Sequence, residues 1–106
     1  MELDISTGCA PESCIVDVSG EVDVSNADEL RDAINDIITN GTATSVDIDL
    51  TKVPYIDSTG IGVLVGATHR AREAAKTVSV VCPNENILRV FNLLGVDEQL
   101  DVRSTR

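Results

Sequence analysis

Aromatic residues are almost missing from this 106-residue chain, which has Tyr55, Phe91 and no tryptophan. A core built on stacked rings is excluded, so the core must be aliphatic, made of Val, Ile, Leu and Ala. Basic residues are scarce as well, 8 against 18 acids, for a net charge of −10. That balance argues against nucleic acid, whose phosphates attract basic surfaces, and against an anionic membrane surface. The longest uninterrupted apolar-or-glycine run, Gly60 to Ala67, is too short to span a bilayer, and no basic-then-apolar leader stands at the N-terminus. There is one histidine, His69, and three cysteines, Cys9, Cys14 and Cys82, with no CxxC spacing. This is poor material for a zinc site or a disulfide framework. The expectations are no metal, no cofactor, a reducing cytoplasm, and Cys9 and Cys14 as incidental thiols flanking a turn, with a redox role as the lesser alternative.

What the chain does contain is a globular composition, 42% apolar and 25% charged, of a length that fits one domain over residues 1–106. Its charge is unevenly placed. Residues 1–53 carry 12 acids and 2 bases, and the second half is balanced. A basic protein partner is compatible with that surface, as is simple solubility.

Strand-like and helix-like segments alternate. Met1–Ser6 reads as an edge strand, Gly8–Ser13 as a turn, and Cys14–Val18 as a strand broken by Gly20. Ser25, with Asp28 three residues on, suggests a capped helix start. Ala27, Leu30, Ile34, Ile37 and Ile38 then form one helical face up to Asn40-Gly41. Ser45–Leu50 is a strand, and a second helix runs from Asp57-Ser58 to about Ala75, apolar on all sides at its start and exposed at its end. Thr77–Cys82 is a β-branched strand. Pro83-Asn84 opens a third helix with Ile87, Leu88, Phe91 and Leu94 on one face, and Leu100–Val102 completes the set. Strands separated by helices predict an α/β fold: a mixed, mostly parallel sheet with helices packed on it, and one antiparallel pair near the N-terminus.

Asp57-Ser58-Thr59-Gly60-Ile61-Gly62 stands where a loop enters a helix. A helix N-terminus offers unpaired N–H groups and roughly half a unit of positive charge. Asp57 or Ser58 can serve simply as an N-cap, and Gly60, Gly62 and Gly66 can serve close packing. GIGVLVG approximates a dinucleotide fingerprint, with Glu85 near the acidic position, but nine residues separate it from the preceding strand and the chain lacks a second half-fold. Nucleophilic catalysis by Ser58 is implausible: no GxSxG elbow is present, and His69 lies about 16 Å further along the same helix.

The same residues resemble a known family. VDIDLTKVPYIDSTGIGVLVG, Val46 to Gly66, is similar to the strand, connection and Asp-Ser-Ser-Gly-Leu-Gly-Val-Leu signature of the STAS-domain anti-sigma-factor antagonists. Gly20-Glu21-Val22-Asp23 resembles the family's Gly-Glu-(Ile/Val/Leu)-Asp segment. Asn86–Leu94 with Gly95-Val96-Asp97 resembles its last helix and the turn after it. The resemblance implies a single STAS domain that is not an enzyme. It implies that Ser58 is phosphorylated by a partner that is both serine kinase, of the GHKL (histidine-kinase-like ATPase) type, and anti-sigma factor. The unphosphorylated form would bind that partner and release the sigma factor, and a metal-dependent serine phosphatase would restore it. Thr59, in place of the family's second serine, is a less favoured acceptor.

The partner-binding residues implied are Glu21, Asp23, Asp57, Thr59, Gly60, Ile61 and Gly62, with Glu21, Asp23 and Asp57 as an acidic face around Ser58. A phosphate there would block a fitted interface by charge and bulk without refolding the domain. A monomer or weak dimer is expected. The alternatives are a STAS phosphoswitch acting on a non-sigma target, a scaffold piece, or a ligand sensor. His69, Arg70, Arg72 and Glu73 read as a solvated helix end, and Cys82 and Phe91 as core.

Overall fold

The computed structural model describes residues 3–104. The elements are β1 (Asp4–Cys9), β2 (Ser13–Ser19), α1 (Ala27–Asn40), β3 (Ser45–Lys52), α2 (Ser58–Glu73), β4 (Thr77–Val81), α3 (Glu85–Leu94) and β5 (Asp101–Arg103). They build one five-stranded sheet in the order β1-β2-β3-β4-β5. β1 is antiparallel to β2 and every later pairing is parallel, so the expected mixed α/β architecture is present.

Each parallel connection steps one strand in the same direction. Right-handed crossovers therefore place all three helices on one face of the sheet. Burial agrees. Val16 and Val18 of β2, Val46, Ile48 and Leu50 of β3, and Val78 and Val80 of β4 alternate with polar residues and join one aliphatic core. Leu30 and Ile34 of α1, Leu64 and Ala67 of α2, and Ile87 and Phe91 of α3 complete it. The opposite face carries the alternate residues, with Asp17 and Asp47 half-buried and Asp49, Ser79 and Val81 buried.

The helix ends show which local signals decide. α1 does not use Ser25 as its cap. Asn26 holds the N-cap position without a side-chain cap bond, while the Ser25 hydroxyl donates to Asp23. Asp28 pairs with Arg31 at 3.1 Å instead of closing a capping box. α1 has no basic residue in its last turn. Lys76 reaches over from the α2–β4 connection, its Nζ donating to the carbonyls of Ile38 and Gly41, each at 2.8 Å. A charge from a distant segment thus satisfies the helix C-terminus. α3 is capped as its sequence predicts, with the Asn84 side chain accepting from the N–H groups of Asn86 and Ile87. On that helix Ile87 and Phe91 are buried, Leu88 is half-buried and Leu94 is exposed, so the apolar stripe is narrower than its sequence suggests.

The N-terminal hairpin departs most from expectation. β1 runs on to Cys9 through residues read as turn, leaving only residues 10–12 between the strands; Met1 and Glu2 lie outside the described residues. The hairpin register sets Cys9 opposite Cys14, and the two form a disulfide with their Cα atoms 4.1 Å apart. The expectation of unpaired thiols is therefore corrected. Cys82 is the free, buried cysteine, and burial pushes its thiol above the ordinary value of 9.0. No helix among the described residues is long and apolar enough to cross a membrane.

Candidate functional site

Two segments at the C-terminal ends of β2 and β3 frame Ser58. Gly20 ends β2 with a positive φ of 110°, a conformation open to glycine at little cost. The chain then turns so that Val22 runs beside Ile56 as a single parallel bridge. The Val22 N–H donates to the Tyr55 carbonyl and the Asp57 N–H to the Val22 carbonyl, both at 3.0 Å. The loop after β2 is thereby fastened to the entry of α2.

Asp57 makes the second fastening. Its Oδ1 accepts from the Gly60 N–H at 3.0 Å and caps α2, while its Oδ2 accepts from the Val24 N–H at 3.1 Å. The carboxylate thus spans both segments. Asn26, only 8% exposed, holds the loop from behind: its Oδ1 accepts from Asp23 N–H and its Nδ2 donates to the Glu21 carbonyl, both at 2.9 Å. Gly60 supplies the close approach. A Cβ at this position would stand 2.6 Å from Ile56 Cγ1 and 2.7 Å from Val22 Cγ1, so a side chain would force the bridge apart.

On this frame Ser58 and Thr59 are exposed in the first turn of α2. Gly62 is exposed too, whereas Gly60 and Ile61 are buried and support the loop from beneath. Glu21 is exposed. Asp23 accepts from the hydroxyl and N–H of Ser25, and those bonds, the hydroxyl's first, hold its carboxyl below the usual 3.8. The loop expected beside Ser58 does lie there, but Asp57 spends both oxygens inside the molecule. Two residues that the sequence reading passed over stand out instead. Val24 is 75% and Tyr55 51% exposed, and they sit on the two segments joined at Asp57. Burying such side chains is a common source of binding energy.

His69, the one base considered for Ser58, is exposed eleven residues along the same helix. Among the described residues no group of three or more His, Cys, Asp or Glu is placed to hold a metal. A cleft of about 430 Å³ opens between Asp17, Asp49, Lys52 and Pro83 and does not include Ser58. Ser58 therefore stands on open surface at a helix N-terminus, where an added anion is tolerated by the helix dipole.

The structure is thus a small α/β domain with an exposed serine at a braced helix entry. The STAS domain family model matches residues 1–106, and the chain belongs to that family. The anti-sigma-B factor antagonist of Staphylococcus epidermidis is 31% identical over 102 residues, covering 96% of this chain and 94% of the relative. The anti-sigma factor antagonist SpoIIAA in its unphosphorylated form has a similar fold, with a TM-score of 0.76 at 17% identity, over 97% of this chain and 90% of that one. The phosphorylated form of SpoIIAA from Bacillus superposes with a TM-score of 0.73 at 19% identity, covering 95% and 92% of the two chains.

Proposed function

We propose that this protein is an anti-sigma-factor antagonist of the cytoplasm, controlled by phosphorylation of Ser58. In its unphosphorylated form it binds a GHKL-type serine kinase that doubles as anti-sigma factor, and so frees the sigma factor. Phosphorylation ends the binding, and a metal-dependent serine phosphatase reverses it. The observation that carries this reading is the braced, exposed hydroxyl of Ser58 at the first position of α2, in a chain 31% identical to a protein named as such an antagonist.

The kinase face covers Ser58, Thr59, Gly62, Val24 and Tyr55, with Glu21 and Asp23 at its rim. Asp57, Gly60 and Ile61 act from within by fixing that surface. A phosphate adds about −1.5 to −2 charges. The helix N-terminus accommodates it, but a partner fitted to the neutral loop would have to bury a dianion without a matched cation, which is strongly unfavourable. The block is local and leaves the fold intact. The protein is then a substrate of two enzymes, not an enzyme.

The test is incubation with the cognate kinase and Mg-ATP, followed by mass spectrometry. Phosphate is expected on Ser58, with Ser58→Ala binding the kinase constitutively and Ser58→Asp binding it weakly. Modification at Thr59 alone, or equal binding by both variants, overturns the assignment.

A further inference from the structure

We propose that Cys9 and Cys14 form a reversible thiol–disulfide couple that fastens and releases the edge strand β1. The hairpin lies at the opposite end of the sheet from Ser58, since β2 begins at Ser13 beside Ser45 and reaches the Ser58 end only at Ser19. The inference is therefore independent of the phosphoswitch.

The Ala10 N–H donates to the Ser13 carbonyl at 2.8 Å, so the next pair, Cys9 and Cys14, is the closely spaced, non-hydrogen-bonded one. The strand register alone brings the two sulfurs together, and it returns them to the same place after reduction. Cys9 is exposed while Cys14 is 3% exposed, which leaves the Cys9 sulfur as the one open to attack. The bond encloses only residues 10–13, and closing so short a loop constrains the unfolded chain little. Losing it should therefore loosen the hairpin without unfolding the domain.

The tip of β2 has its own anchor. The Glu12 carbonyl accepts from the N–H groups of Thr44 and Ser45 and from the Thr44 hydroxyl. β1 has no such anchor. Among the described residues it pairs with β2 alone, and Leu3 and Ile5 pack half-buried on the core. Reduction thus lets β1 open away from β2 more often, while β2 stays held by β3. In a reducing compartment a disulfide of this kind is a responsive bond, not a permanent staple.

The chemistry closes with a monothiol such as glutathione. Its thiolate attacks Cys9 Sγ, the S–S bond breaks, and the electron pair leaves on Cys14 Sγ, which takes up a proton. A second glutathione thiolate attacks the glutathione sulfur of the mixed disulfide, releasing Cys9 as a thiolate that is protonated in turn. Two glutathione thiols are oxidised to one glutathione disulfide as one protein disulfide is reduced.

The folded full chain should be equilibrated across a series of glutathione ratios, trapped with iodoacetamide and weighed. Cys9 and Cys14 are expected to gain label together as one two-electron couple. Cys82 should stay unlabelled, being buried with a raised pKa. In the reduced protein, amide exchange across residues 4–9 and at the β1-facing amides of Ile15, Asp17 and Ser19 should quicken by about tenfold, with α2 and the β3-facing amides of Val16 and Val18 unchanged. A double variant, Cys9→Ser with Cys14→Ser, should exchange like the reduced protein in every buffer. Three results overturn the proposal: label on both cysteines in fully oxidising buffer, a bond that glutathione opens only after denaturation, or equal exchange of β1 in the two redox states.

Discussion

Asp57 is the residue on which the geometry of the Ser58 loop turns, and its two bonds can be separated by substitution. Asp57→Ala removes both the cap on Gly60 N–H and the tie to Val24 N–H. Loss of a good N-cap costs about 1 kcal/mol. The tie ends on a charged oxygen but starts at an exposed residue that water can serve instead, so it adds about 1 kcal/mol more. The alanine variant should then be about 2 kcal/mol less stable, a fall in Tm of roughly 10 °C for a domain of this size. Asp57→Asn is the discriminating variant. Its single oxygen still caps Gly60, since Asn caps as well as Asp, but its NH2 must face the Val24 N–H, donor against donor. It should fall about 1 kcal/mol below the parent, midway between the two. Urea unfolding followed by circular dichroism measures both values, with an unchanged m confirming that the denatured state is the same. Exchange of the Val24 amide should quicken in both variants. The reasoning is refuted if Asn is as stable as Asp, or if Ala lies within about 0.5 kcal/mol of the parent, the range of an ordinary surface substitution.

Lys76→Met should cost about 2 kcal/mol in the same urea assay, because it strands two carbonyls at the end of α1 that a distant ammonium now serves. Gly60→Ala gains about 1 kcal/mol of helix propensity but meets Ile56 and Val22 at under 3 Å, and overpacking of about 1–3 kcal/mol should leave it destabilised. Gly62→Ala faces open space and should be stabilising by about 0.5–1 kcal/mol; the opposite order of the two would refute the packing account. Ala75 has φ of 59° just after α2, so Ala75→Gly should raise the unfolding free energy by about 1 kcal/mol. By NMR titration Asp23 should ionise below 3.8, and Ser25→Ala should bring it back up. Since the folded value is depressed, its stabilising contribution is present above 3.8 and is lost as pH falls through the folded value.

Signals that depend on a residue and its near neighbours were legible in the sequence. The alternation of strands and helices, the core face of α1, the cap at Asn84 and the helix start at Asp57-Ser58 all follow from period and cap chemistry. The start of α1 was not, because Ser25 and Asn26 are both good caps and only the loop's attachment to Glu21 and Asp23 decides between them. The disulfide needed the hairpin register, which a strand read as ending at Ser6 could not supply. No local pattern marks Val24 and Tyr55 in the sequence. Their exposure depends on which way the bridged loop faces, and that is set by Gly60 and Asp57 together.

The distribution of acids revises what the net charge of −10 means for recognition. Asp28 and Asp32 both share Arg31. Asp17 and Asp49 stand opposite each other on the face of the sheet away from the helices, and Thr51 donates twice to Asp49. Asp101 accepts from Ser79. Near Ser58, both oxygens of Asp57 accept within the clasp, and its charge adds to those of Glu21 and Asp23 at the rim. Two rim carboxylates can steer a basic partner, but most of the energy of a tight complex must come from surface removed from water. Val24 and Tyr55 offer that surface, so a partner that reads this loop needs an apolar hollow with cations only at its edge.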